Sequence, residues 1–300
     1  MRRLIVGIVT MQGRLWKIEE NFQRMEAYAR RAVERGAQLV IAPENVLDGY
    51  VAGADPDVKR ERMMEIAQEV PDGSYVQRGC ALARELAIWL IYGFVERRDD
   101  RMYNSCILIG PNGEIVARYS KVNPLNEKFI TPGHELRPFE TPFGRVGFLI
   151  CGDRGVSDNF RTLGVQGTQI VFIPMDGGYD PDNLEMLQWR AMDNGCYIVI
   201  ANTHGCGIVR PDGGIMQSRF ESECVSVQRI ELTEIDALRP RQFGMRRPDL
   251  YGPLVEATES RRHWDDEGRP TSYEHEQRDR WSEDLRRREA ASEGTTDGNG

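Results

Sequence analysis

The sequence predicts an α/β protein in which a mixed sheet is covered by helices. Two observations carry this. Apolar runs of strand length alternate with segments whose apolar residues recur at helical spacing. In the middle and late parts of the chain, strand-like runs also pair directly across short turns, which places hairpins within the alternating pattern. Three hundred residues, 40% of them hydrophobic and 29% charged, are enough to fill such a core.

Residues 4–10 form the first strand. Residues 21–36 place Phe22, Met25, Ala29, Ala32 and Val33 near helical spacing, and Gly36 is a natural stop. Residues 38–42 make a second buried strand, followed by Pro43, Glu44 and Asn45. A helix is expected over 57–69. Pro71, Asp72, Gly73 and Ser74 then read as a turn and N-cap for a third helix ending near Leu86. A strand over 88–94 closes on Glu96. Strands 105–109 and 114–119 flank the turn Pro111, Asn112, Gly113. Residues 139–144 turn into a strand over 145–150. A short helix over 158–163, a strand over 169–173, a helix over 184–194 and a strand over 197–201 follow. A last hairpin turns at 211–214 before a strand over 224–230.

Residues 1–259 are expected to form one domain. Residues 260–300 hold 11 acidic and 8 basic residues and can bury little apolar surface, so a largely disordered or loosely helical tail is expected there. Trp264, Tyr273 and Trp281 leave open its packing on a neighbouring subunit.

The net charge of -8, without any Lys/Arg block interleaved with aromatics, argues against nucleic acid as a partner. No apolar stretch approaches the ~20 residues that span a bilayer, so no membrane association is expected. Met1, Arg2 and Arg3 precede an apolar run, but it is short and lacks a small-residue cleavage site, which reads as a first strand and not a signal peptide. Six cysteines without a C-x-x-C pair do not suggest a disulfide framework, and a reducing cytoplasm is expected.

Three strand ends carry chemistry. The run ending at Ile150 is followed by Cys151, Gly152, Asp153, Arg154 and Gly155, a sharp turn that lifts a thiol out of the sheet. Such a thiol is a nucleophile if a base takes its proton. Glu44, after the second strand, is that candidate base. Lys121, after the run ending at Tyr119, is a candidate oxyanion stabiliser. Each residue alone has an ordinary reading: an inert core thiol, a helix-start carboxylate, a solvated loop lysine. Cys196, His204 and Cys206 lack a fourth ligand at a usual metal spacing, so core thiols and a loop histidine explain them better.

Together the motifs resemble the nitrilase, or carbon–nitrogen hydrolase, superfamily. The family pairs a P-E segment, a Y-x-K segment and a C-x-D segment with a following arginine. Here these are Pro43-Glu44, Tyr119-Ser120-Lys121, and Cys151-Gly152-Asp153 with Arg161. Gly93 to Glu96, Tyr103-Asn104, Glu127 with Thr131-Pro132-Gly133, Arg190 to Asn194, Tyr197 to Asn202 and Arg246 to Tyr251 match further family segments, so the likeness covers residues 4–252. It implies a four-layer α-β-β-α sandwich, assembled as a homodimer or larger homo-oligomer through a helical face. It also implies a cysteine thioester mechanism without metal or organic cofactor. Glu44 would be the base, Lys121 and the Gly152 N–H the oxyanion donors, Glu127 the residue orienting Lys121, and Asn202 part of the substrate side. Asp158 and Asp193 depart from family glutamates near the expected pocket wall.

Gly152 stands where nitrilases of the superfamily carry tryptophan, which favours a carboxamide or N-carbamoyl substrate over a nitrile. Cys151-Gly152-Asp153-Arg154 is similar to the C-N-D-R segment of N-carbamoyl amino acid hydrolases, in which the arginine binds the substrate carboxylate; Arg154 would do so here, or pair with a protein acid instead. Transfer of the acyl group to a nucleophile other than water remains open. A binding protein that had lost catalysis would lack one of Glu44, Lys121 and Cys151, and all three are present.

Overall fold

In the computed structural model, which describes residues 3–255 except 126, 234, 236, 237 and 240–242, the strands assemble into two six-stranded sheets. The first runs in the order β12 (Cys224–Glu231), β1 (Arg3–Thr10), β2 (Leu39–Ile41), β3 (Trp89–Arg98), β4 (Arg101–Ile109), β5 (Ile115–Ser120). The second runs β11 (Ile215–Arg219), β10 (Gly205–Val209), β9 (Tyr197–Asn202), β8 (Ile170–Met175), β7 (Gly144–Phe148), β6 (Phe139–Thr141). Each sheet has a parallel centre, β1-β2-β3 and β7-β8-β9, and antiparallel flanks.

The central strands are apolar on both faces because both are covered. In β1, Leu4, Val6 and Ile8 enter a core shared with Val146, Phe148 and Ile170 of the second sheet. Val9, of the opposite parity, packs with Phe22, Met25 and Ala29 of α1 (Ile18–Glu34) and with Val76 and Ala83 of α4 (Ser74–Leu86). Gly7 permits that contact, since a Cβ there would stand 2.7 Å from the Ala32 Cβ. Leu163 of α5 (Ser157–Val165) and Leu187 and Ala191 of α6 (Pro181–Asn194) pack onto the second sheet. The layers are therefore α-β-β-α, as the family resemblance implies.

Several local expectations change. The helix expected over 57–69 is only α3 (Arg60–Ile66), because Gln68 leaves it to bridge β3: its N–H donates to Val95 O and its C=O accepts from Arg97. Gly73, not Ser74, takes the cap position, and the Gln68 side chain accepts the Tyr75 N–H at 3.0 Å in place of a serine cap. The short helix α2 (Val51–Ala54) has no clear sequence signal. The hairpin at 211–214 joins β10 to β11, whereas the strand near 224–230 crosses to the other sheet and pairs with β1. Among the described residues no helix is long and apolar enough to cross a membrane. Residues 248–255 form two 3₁₀ turns, Pro248–Leu250 and Gly252–Val255. The expected tail at 260–300 lies outside the described residues.

Candidate active site

The candidate residues meet where the carboxyl ends of the parallel strands converge. Glu44 follows β2, Lys121 follows β5, Cys151 follows β7, and Asn202 ends β9. The turn carrying Glu44 lies against β3 at Gly93, where a Cβ would stand 2.8 Å from the Asn45 N. A larger residue there would push the Glu44 backbone away.

Glu44, Lys121 and Glu127 form one buried cluster, each about 1% exposed. Lys121 Nζ donates to Glu44 Oε1 at 2.7 Å and to Glu127 Oε1. Asn104 in β4 ties the two carboxylates together, its Nδ2 donating to Glu44 Oε1 at 2.7 Å and to Glu127 Oε2 at 3.0 Å. Tyr50 OH donates to Glu127 Oε1 at 3.1 Å. Burial disfavours the Lys121 ammonium, but the Glu127 and Glu44 carboxylates outweigh it and hold Lys121 well above the ordinary lysine value. Burial raises Glu127, opposed by Lys121 and reinforced by Glu44.

Cys151 begins a 3₁₀ turn, Cys151–Gly155, with φ at +41°, a conformation rare for a residue with a Cβ and common at functional turns. Asp153 fixes the turn. Its carboxylate accepts the Ile150 N–H at 3.0 Å, the Asn123 N–H at 2.7 Å and the Tyr119 hydroxyl at 2.7 Å. Tyr119 lies in β5, so this last bond joins the two sheets directly behind Cys151. The Cys151 thiol donates to Asp176 O at 3.3 Å, and Asp176 N donates to Glu44 Oε2 at 2.9 Å. One residue after β8 therefore touches both candidate base and nucleophile. Burial and the Glu44 carboxylate push the thiol up to about 12, with Lys121 and Arg154 opposing them. At neutral pH the resting sulfur is protonated.

Arg154 lies beside the nucleophile, with Nη1 3.6 Å from Cys151 Sγ. Its fork is already occupied by protein acceptors: Nε and Nη2 donate to Asn183 Oδ1 at 3.1 and 2.8 Å, Nη1 to Cys151 O at 2.8 Å, and Nη2 to Gly178 O at 3.0 Å. Arg154 thus clamps the nucleophile turn to the segment after β8. Asn202 braces the same segment from the other side, donating to Gly177 O at 2.8 Å and accepting the His204 N–H at 2.8 Å. Thr203 Oγ1 donates to the Asp176 carboxylate at 2.8 Å. Gly152 faces Leu125, whose Cδ1 would stand 3.1 Å from a Cβ, so a larger side chain there would crowd the turn.

Sequence reasoning missed the site contributions of Asn104, Tyr50 and Asp176. Asn104 had a usable signal in the Tyr103-Asn104 pair, whereas Asp176 contributes backbone atoms that no motif reports. Asp158 and Asp193 are exposed on α5 and α6; Arg161 donates to Asp193 O at 2.8 Å, which joins those helices. Glu96 is buried and pairs with Arg98 and Arg118. Among the described residues no group of three or more His, Cys, Asp or Glu side chains is placed to hold a metal ion.

The fold and cluster define an α-β-β-α sandwich with a thiol, a carboxylate and an ammonium gathered across its two sheets. The chain belongs to the carbon–nitrogen hydrolase family, whose profile matches residues 5–240. It is 30% identical over 205 residues to a nitrilase of Pyrococcus abyssi, covering 67% of this chain and 75% of that one. It is 27% identical over 263 residues to the omega-amidase of Homo sapiens, covering 77% and 91%. A carbon–nitrogen hydrolase from Helicobacter pylori has the same fold, with a TM-score of 0.74 at 18% identity over 85% of this chain and 99% of that one.

Proposed function

We propose that the chain hydrolyses the C–N bond of a small carboxamide through a thioester on Cys151. The observation that carries the reading is the junction at Asp176, whose N–H binds the Glu44 carboxylate and whose carbonyl oxygen accepts the Cys151 thiol, while Lys121 binds Glu44. Amidase-named relatives support it.

In this reading Glu44 takes the thiol proton as sulfur attacks the carbonyl carbon. The C–S bond forms, and the carbonyl π pair moves to oxygen. Lys121 Nζ and the Gly152 N–H stabilise that oxyanion. As it collapses, the C–N bond breaks and the departing nitrogen takes the proton from Glu44, leaving a thioester. Glu44 then removes a proton from water, which attacks the thioester, and the proton passes to the leaving thiolate. Glu127 and Asn104 act earlier, by fixing the Lys121 and Glu44 side chains. The occupied fork of Arg154 favours a neutral carboxamide over an N-carbamoyl acid. The free cysteines suit a reducing cytoplasm. Association with a second copy is also part of the reading, since Trp189 and Phe220 remain 56% and 53% exposed.

A panel of carboxamides and N-carbamoyl acids assayed for ammonia release tests the substrate class. Cys151→Ala abolishes turnover in a folded protein, and Glu44→Gln reduces it by ~10²–10⁴-fold and accumulates a covalent acyl adduct visible by mass spectrometry. Near-normal activity in either variant overturns the mechanism.

A further inference from the structure

A polar cavity of about 80 Å³ opens near the edge strand β5 and is lined by Arg98, Arg118, Ser120, His134, Arg137 and Phe139 among others. By strand alternation Tyr119 faces the second sheet, while Arg118 and Ser120 face away from it. The cavity holds several times the ~10–15 Å³ that one water needs by the same kind of measure, which is room for an ion of a few heavy atoms.

Three guanidiniums are held around this space by protein partners. The buried Glu96 carboxylate accepts from Arg98 Nε at 2.8 Å and Nη2 at 2.6 Å, and from Arg118 Nη1 at 3.1 Å. Arg98 Nη2 also donates to Ser120 Oγ at 2.5 Å, and its guanidinium lies 4.2 Å from the Tyr103 ring centre. Arg137 is paired with Glu135 through Nε and lies 4.6 Å from the Phe139 ring centre. These contacts use only some of the donors of the three forks. Among the described residues, Arg98 Nη1, Arg118 Nη2 and both Nη atoms of Arg137 donate to no protein acceptor. Three cations face two carboxylates, so the wall has a positive excess.

We propose that this cavity binds a small tetrahedral oxyanion of the phosphate class, either free or as the end of a phosphomonoester. Paired N–H groups of a guanidinium match two oxygens of such an ion. Glu96 serves to position Arg98 and Arg118.

The test is calorimetric titration of the full-length protein with inorganic phosphate, and separately with phenyl phosphate, at fixed ionic strength. Arg118→Gln and Arg137→Gln are suitable variants, because these side chains are 43% and 54% exposed and lie outside the catalytic cluster. Wild type is expected to bind one phosphate per chain saturably, and each variant to bind at least about tenfold more weakly, with amide hydrolysis unchanged in both and the thermal midpoint unchanged in Arg137→Gln, whose partner Glu135 is exposed. Phosphate binding without phenyl phosphate binding identifies a free ion, and tighter binding of the ester identifies a tailed ligand. Absence of saturable binding of either probe to wild type, or equal affinity in both variants, overturns the proposal.

Discussion

Cys151 gives its thiol hydrogen to the Asp176 carbonyl oxygen, 3.3 Å away, and not to a side-chain base. The N–H of the same Asp176 is bound to Glu44. Base and nucleophile are thus aligned on one backbone segment while the proton stays on sulfur. Burial and the Glu44 carboxylate both push the thiol up, which favours its protonated form in the free protein.

Alkylation should show this. The Cys151 thiol is raised to about 12 from an ordinary 9.0, and a raised acid remains protonated below its new value. The rate of iodoacetamide labelling at Cys151, followed peptide by peptide because Cys224 is also partly exposed, is expected to keep climbing as pH passes 9.0. A plateau reached at neutral pH would reveal a resting thiolate.

The Lys121 ammonium faces two buried carboxylates, and removing one partner of a buried ion pair costs ~3–5 kcal/mol. Lys121→Met is expected to lower folding stability by that order in denaturant melts at neutral pH. Adding Glu127→Gln to Lys121→Met should recover part of the loss by removing one carboxylate charge. Equal stability of the single and double variants would show that Glu127 is already protonated in the single variant.

Arg154→Ala should slow neutral and carboxylate-bearing amides by similar factors in kcat/KM, because its donors hold the Cys151 turn, Gly178 and Asn183. A loss confined to carboxylate-bearing substrates would instead make Arg154 their reader.

Truncation after residue 259 is expected to leave hydrolysis intact, since every residue assigned to the chemistry precedes it. A folded but inactive truncated enzyme would place part of the tail in the site.

Much of this protein was legible in its sequence because strand ends leave strong local marks. An apolar run followed by a charged residue or a glycine turn located Glu44, Lys121 and Cys151, and family motif order added Glu127. The division of strands between two sheets was not legible from periodicity, since strands buried on both faces look alike whichever sheet they join; the likeness to a known family supplied it. Asp176 escaped notice because backbone atoms do the contacting. Arg154 was placed correctly on the turn, but its partners Gly178 and Asn183 come from a distant segment that no local pattern links to it.

The two sheets divide the chemistry between them. Glu44, Asn104 and Lys121 belong to one, and Cys151 and Asp176 to the other. Neither half has a working constellation by itself. A chain that has formed its secondary structure but not yet docked its sheets carries a thiol with no base and a carboxylate with no nucleophile. If the proposed roles hold, reactivity requires the two sheets to be docked, and turnover doubles as a gauge of whether the halves have closed on each other.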